Sequence, residues 1–427
     1  MRNLLVVQVV FVCGLLICGN LKAEETKASP SKPNIIFILS DDVGLGDVHC
    51  SGGPFKTPQI DKLAEGGTRF AQCYAMPLCG PSRATALTGR YLFRTGMLTN
   101  QDGNRMSPSR EIMLPRVMKT AGYVTAQVGK WSQMPLKPGD WGFDEYLCFL
   151  RSGRYWREQT ASYTLNGHET NLPAGTYLPD LMHEFLADFM KRHKDQPFYV
   201  HYAMSHIHGP IVRTPDSKAG SDHYADNITY MDKLVGQLVA ELDKLGLREK
   251  TLLVFVGDNG TAVFGVKAST VNGRHVFGNK GTMKEGGSRV PMVVSWPGTV
   301  PAGKVLPDLV DFSDFLPTFA ELGGAKLPEG VKIDGHSFAP QLRGEKGTPR
   351  DWVFVQLGAK WYVRDQGFKL TQGGELFDMA EAPFVEKPVT NEAARAKLQA
   401  VLKELKPGAG KTATGEEKPG KKRKKKL

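Results

Sequence analysis

Two apolar runs of the sequence end on adjacent oxygen-bearing residues. Residues 34–39 pass into Ser40-Asp41-Asp42, and residues 251–256 pass into Gly257-Asp258-Asn259-Gly260. If these runs are neighbouring strands, Asp41, Asp42, Asp258 and Asn259 converge as hard oxygen ligands. Oxygen-only ligation favours Ca2+ (or, second, Mg2+) over Zn2+. Either pair alone is more often a cap on a helix or turn. A third element, Cys79-Gly80-Pro81-Ser82-Arg83, leads into Ala84-Thr85-Ala86-Leu87-Thr88-Gly89-Arg90. Pro81 suits the first turn of a helix, which sets Cys79 at the positive N-terminus, where anionic groups bind.

Such groups need a frame. Residues 34–39 form a continuous apolar run of the kind buried on both faces of a sheet, and 123–128, 197–203, 251–256 and 290–296 repeat it. Thr57 and Pro58 begin a helix that Gly66 stops. Leu181, Met182, Phe185, Leu186, Phe189 and Met190 fall at helical spacing, as do Ile228, Met231, Leu234, Val235, Leu238, Val239 and Leu242. The alternation predicts an α/β protein with a large, mostly parallel mixed sheet sandwiched by helices. Reactive groups then collect at the carboxyl ends of the strands. Beyond about residue 325, short strands at 352–357, 361–364 and 368–371 and a helix over 391–405 predict a small antiparallel α+β subdomain.

Length and composition agree with that frame. The chain has 427 residues, 41% of them hydrophobic and 23% charged. This excludes wholesale disorder, a collagen-like repeat and a multi-span membrane protein. The net charge of +11 sits mostly at the ends. Residues 406–427 hold nine Lys or Arg against Glu416 and Glu417, and residues 1–23 hold Arg2 and Lys22 with no acid. The body between is nearly neutral, so no nucleic-acid partner is expected. Arg2, the apolar stretch 4–17 and Ala23 read as a cleaved secretory signal, too short for a retained membrane span. Export to the periplasm or outside the cell follows. The expected organisation is a signal over 1–23, a linker over 24–32, a catalytic domain over 33–324, the small subdomain over 325–405 and a disordered basic tail over 406–427. The tail is suited at most to weak contact with polyanions. Cys50, Cys73 and Cys148 show no metal-type spacing and read as buried small residues or one disulfide.

The Cys79 segment resembles the sulfatase signature Cys-x-Pro-Ser-Arg with its trailing Leu-Thr-Gly. Further motifs follow in the family's order: Asp41, Asp42, Gly44 and Gly46-Asp47; Gly129-Lys130-Trp131; Gly142-Phe143-Asp144; His206-Ile207-His208-Gly209-Pro210; Lys280-Gly281; Glu285-Gly286-Gly287; Arg289-Val290-Pro291; and Phe377-Asp378. The resemblance implies an alkaline-phosphatase-like fold and a calcium-dependent sulfuric ester hydrolase. It implies that a formylglycine-generating enzyme oxidises Cys79, and that the hydrated aldehyde offers two hydroxyls. One attacks sulfur; the other expels sulfate and restores the aldehyde. Asp41, Asp42, Asp258 and Asn259, with residue 79, would hold the metal. Arg83 and Lys130 would fix the hydrate and offset charge on the transferring group. His208 and Lys280 would bind sulfate and protonate the leaving oxygen.

One position departs from the pattern. The family usually continues Gly-Lys-Trp with a histidine expected to be the base for aldehyde regeneration, and here Ser132 follows. His206 or His183 are candidates to enter from another loop; slow turnover or a different ester are the alternatives. A phosphonate or phosphate-ester hydrolase of the same fold is the runner-up function, disfavoured because the zinc phosphatases carry Asp-His where this chain has Asp258-Asn259. A sulfatase-like polyanion binder without turnover is the non-enzymatic alternative. Specificity is expected from 150–176 and 260–279, which hold Arg151, Arg154, Tyr155, Trp156, Arg157, His168, Arg274 and His275. These suit a sulfated small molecule or glycan.

Overall fold

The computed structural model describes residues 32–131 and 133–408. The expected signal, nearly all of the linker, Ser132 and most of the basic tail lie outside these residues. Ten strands form one mixed sheet: β1 Asn34–Ser40, β2 Thr68–Tyr74, β3 Val124–Lys130, β4 Glu145–Phe149, β5 Ser162–Leu165, β6 His168–Asn171, β7 Phe198–Ala203, β8 Thr251–Gly257, β9 Arg289–Ser295 and β10 Lys304–Asp311. Their order is β10-β2-β9-β8-β1-β7-β3-β4-β5-β6. The central run β8-β1-β7-β3-β4 is parallel. Strand β9 is antiparallel to both of its neighbours. The mostly parallel mixed sheet expected from the apolar runs is therefore present.

Strand β1 shows why the sheet is buried on both sides. Its side chains alternate between faces. Ile35, Phe37 and Leu39 enter a core with Phe312, Phe315 and Phe319. Ile36 and Ile38 enter the opposite core with Ile228, Met231 and Leu234. The second core is roofed by the helices Leu178–Arg192 and His223–Lys244, whose apolar stripes were legible at helical spacing. Each fully buried Ile, Leu or Phe contributes roughly 1.5–3 kcal/mol.

Register brings the strand ends level. Ser40 pairs with Gly257 across β1 and β8, Leu39 with Ala203 across β1 and β7, and Gly129 with Ala203 across β3 and β7. Gly129 has φ 101°, and a Cβ there would lie 2.0 Å from the Ala203 carbonyl oxygen. Only glycine permits that approach, which lets β3 deliver Lys130 close to β7.

A second sheet of five antiparallel strands follows: β11 Val353–Leu357, β12 Lys360–Arg364, β13 Phe368–Thr371, β14 Leu376–Asp378 and β15 Lys387–Pro388. The helix Glu392–Leu405 packs on it through Ala394 and Leu398. Cys50, Cys73, Cys79 and Cys148 are free thiols, so the disulfide alternative falls. No helix among the described residues is long and apolar enough to cross a membrane.

Candidate active site

The site forms where β1, β3, β7 and β8 end. Asp41 and Asp42 directly follow β1, Lys130 closes β3, and Asp258 and Asn259 directly follow β8. Cys79 opens the helix Cys79–Thr88, as its following proline foretold. That helix is buried along its whole length and ends on Gly89 in the left-handed conformation, whose N–H donates to the Thr85 carbonyl.

Charges of opposite sign interlock around Cys79. Its thiol lies 3.4 Å from Asp41 Oδ1 and 3.8 Å from Asp42 Oδ1. Lys130 Nζ donates to both Asp41 oxygens at 2.7 Å. Arg83 Nε and Nη2 donate to Asp258 Oδ2 at 3.1 and 2.7 Å. Lys280 Nζ donates to Asp42 Oδ1. His208 Nε2 stands 3.8 Å from Asp42 Oδ2, while its Nδ1 meets the Gly209 carbonyl at 2.6 Å. A carbonyl only accepts, so Nδ1 carries the hydrogen. Asp41, Asp42, Cys79, Arg83, Lys130, His208, Asp258 and Lys280 thus lie in one cluster.

Burial and pairing oppose each other here. Burial raises the Asp41 carboxyl, but Lys130 outweighs it and holds Asp41 below its ordinary value. Burial lowers Lys130, yet Asp41, with Asp258, raises it overall. The Cys79 thiol is pushed up strongly by burial and then by Asp258. As encoded it is a neutral thiol and a poor nucleophile.

Part of this cluster could hold a metal ion. One ligand atom from each of Asp41, Asp42, Cys79 and His208 lies within 4.8 Å of the others. Asn259 Nδ2 donates to Asp42 Oδ1 at 3.0 Å, while its Oδ1 is buried without a hydrogen-bond partner. An orphaned buried oxygen beside carboxylates is what a cation completes. Asp42 holds φ 64°, a strained value for a non-glycine residue. Its N–H thereby reaches Asp258 Oδ1 at 3.0 Å.

Several supports had no role assigned from sequence. Asp47 is buried and accepts from Gly44 N, Thr261 Oγ1 and Tyr224 OH at 2.8, 2.6 and 2.9 Å. It ties the loop after β1 to the loop after β8. Asn100 Oδ1 accepts from Gly80 N at 2.9 Å at the start of the Cys79 helix; it sits in an irregular loop with no periodic signal. Tyr155, expected among specificity residues, is fully buried. Its hydroxyl donates to the Ser205 and His208 carbonyls at 2.9 and 2.8 Å, so it supports the His208 loop.

His206 and His183 do not hydrogen-bond to Cys79 or its carboxylates. His206 Nε2 lies 3.0 Å from Tyr177 OH among Tyr155, Tyr177 and Tyr230. His183 lines a cleft with Asp180 and Glu241. Burial pushes His206 from 6.5 down to about 3. The unfolded chain therefore takes up a proton that the fold refuses, and stability is lost as pH falls from about 6.5 toward 3. His206→Phe is expected to be less stable than wild type at pH 7.5. The gap is expected to narrow by roughly 3 kcal/mol at pH 4.5, read from urea unfolding midpoints. A constant gap would refute the neutral, buried state.

A family model for sulfatases matches residues 33–325. A second, for the C-terminal part of N-sulphoglucosamine sulphohydrolase, matches 273–407. Arylsulfatase A of Homo sapiens is 32% identical over 398 residues, covering 82% of this chain and 77% of its own. N-acetylgalactosamine-6-sulfatase of Canis lupus familiaris is 32% identical over 372 residues, covering 77% and 69%. The crystal structure of Ps i-CgsB in complex with k-i-k-neocarrahexaose is similar at TM-score 0.77 and 27% identity, over 89% of this chain and 94% of that one.

Proposed function

The chain belongs to the sulfatase family of sulfuric ester hydrolases, and from that premise we propose an exported, calcium-dependent enzyme that releases sulfate from carbohydrate esters through a formylglycine made from Cys79. The observation that carries this reading is the 3.4 Å approach of Cys79 Sγ to Asp41, inside a cage of paired acids and bases at a helix N-terminus. The neutral thiol is ill suited to attack; an aldehyde hydrate at residue 79 supplies hydroxyl groups in its place.

Asp41, Asp42, Asp258 and the orphaned Asn259 oxygen would hold calcium together with residue 79. When bound, the cation supplies positive charge that offsets the carboxylates and favours ionised oxygen nearby. Lys130 and Arg83 keep their charge because Asp41 and Asp258 hold it there, and they orient residue 79. Lys280 is raised above its ordinary value, because the carboxylates Asp42, Asp41 and Asp258 outweigh burial, and so binds sulfate as a fixed cation. His208 turns Nε2 toward the acids, where, when protonated, it hands a proton to the departing oxygen. Maturation needs a formylglycine-generating enzyme, and Pro81 and Arg83 are the positions that support its recognition. The division into a catalytic domain over 33–324 and a small subdomain over 325–405 belongs to the same reading, as do the cleaved signal over 1–23 and a solvated tail over 406–427.

The test is peptide mass spectrometry across Cys79, made in a host that carries the converting enzyme, paired with sulfate release. The expected result is the aldehyde mass and turnover of an aryl sulfate that stops on chelation and returns with Ca2+. The same preparation should prefer aryl sulfate to aryl phosphate by at least about 100-fold, roughly 3 kcal/mol. Unmodified cysteine with no release, or a preference for phosphate, would overturn the reading.

A further inference from the structure

Strand β4 ends at Phe149, paired with Lys130 of β3, about 4.8 Å across the sheet. The chain then runs through Leu150 to Arg154 along the flank of the strand ends. A cleft of about 380 Å3 opens there, lined by Lys137, Phe149, Leu150, Arg151, Arg154 and Tyr163. It is tied to the His208 loop at two points. Tyr155 holds the Ser205 and His208 carbonyls, and a Cβ on Gly153 would lie 2.1 Å from the Gly209 carbonyl oxygen.

The cleft is cationic beyond what its own acids balance. Glu169 is the acidic residue in its wall, and Glu169 accepts from Ser162 Oγ at 2.7 Å. Lys137 Nζ donates to the Gly167 carbonyl at 2.9 Å. Arg154 makes no ion pair among the described residues, and its Nε is buried without a hydrogen-bond partner. Burial and the nearby Arg151 together disfavour its charge. A cation held in that state gains more than usual from an arriving anion. Leu150, two-thirds exposed, and the half-buried Tyr163 give the same cleft an apolar wall of the kind a sugar face covers.

We propose that this cleft is a second anion subsite. It binds a sulfate or carboxylate on a sugar unit other than the one being cleaved, so the protein selects extended polyanionic carbohydrate over small esters. The proposal deepens the sulfatase reading and rests on it for the identity of the substrate. The segment that lines the cleft packs on the His208 loop through Gly153 and Tyr155, and Phe149 in its wall pairs with Lys130, a placement that lets one chain of linked sugars reach both.

The decisive comparison is wild type against Arg154→Gln. A disulfated tetrasaccharide, its monosulfated counterpart lacking the remote sulfate, and a monosulfated one bearing a remote uronate serve as probes. Calorimetric binding in the Cys79→Ala background reads affinity without turnover, and kcat/KM on an aryl sulfate reads the reactive centre. Arg154→Gln is expected to weaken the disulfated probe by roughly 10- to 100-fold and to leave aryl sulfate turnover within about twofold. Removing the remote sulfate should erase the difference between the two proteins. The uronate probe tells carboxylate from sulfate as the preferred anion. Equal weakening of every probe, or no weakening of any, would overturn the subsite. A protein that releases no sulfate from any ester would sink the catalytic reading, while the binding comparison would still decide the cleft.

Discussion

Cys79→Ala is expected to lower kcat for an aryl sulfate by roughly 10⁴-fold or more, the scale seen when a covalent nucleophile is removed. The fold should survive. Cys79 is buried at the start of a helix, alanine is smaller and a better helix former, and the change removes a single Sγ. A shift in the unfolding midpoint worth about 1 kcal/mol or less is expected. Cys79→Ser separates the two halves of the chemistry. A serine hydroxyl can accept the sulfuryl group, but it has no second hydroxyl whose deprotonation would expel sulfate. One equivalent of phenol should therefore be released per enzyme, after which the reaction stalls with sulfate on residue 79, visible as added mass on the intact protein. Continuous turnover by either variant would sink the aldehyde-hydrate mechanism, because neither can regenerate it.

Part of the candidate site was legible because its members sit at punctuation points, while Arg83, Lys130, His208 and Lys280 came only from the resemblance. Asp41, Asp42, Asp258 and Asn259 end continuous apolar runs, and Cys79 precedes a helix-starting proline, so local rules place each at a strand or helix end. The register of Ser40 with Gly257 then does the rest. Two of the strands that local rules missed, β2 and β10, have patterns broken by polar residues. Strand β10 carries Lys304, Pro307 and Asp308, which an edge position tolerates because one side needs no ladder partner. Strand β2 carries Arg69 and Gln72 in a mixed burial pattern. Supports such as Asn100 and Asp47 are defined by partners 20 and 214 residues away. No spacing rule reaches that far, so their roles emerge only from the folded chain.

Glu285 shows the same limit from the other side, since the resemblance includes it without supplying a role. It is buried at the join between the two sheets. Its Oε1 accepts from Arg364 of β12 at 3.1 Å, and its Oε2 accepts from Tyr74 of β2 at 2.9 Å and from Arg289 of β9 at 3.4 Å. Burial raises its carboxyl, but Arg364, Arg289 and Lys369 outweigh that and hold it below its ordinary 4.5. Glu285→Ala leaves Arg364, itself almost fully buried, facing Tyr74 with no anion. Breaking a buried pair from one side costs roughly 3–5 kcal/mol, and that loss is expected in urea unfolding at pH 7. The paired state is complete above about 4.5 and is lost as pH falls through the depressed value, so the penalty should shrink in acid. Activity should fall as well, by a route that is geometric. Gly287, two residues on, accepts from Gly260 N at 3.0 Å, and a Cβ on Gly260 would lie 1.7 Å from the Gly286 carbonyl oxygen. The backbone after Glu285 is therefore the wall against which Asn259-Gly260 is set. Glu285→Gln, which keeps the shape and one acceptor, should recover part of the stability. If Glu285→Ala instead unfolds at the wild-type midpoint, the two sheets are held together by their apolar contacts and not by this charge.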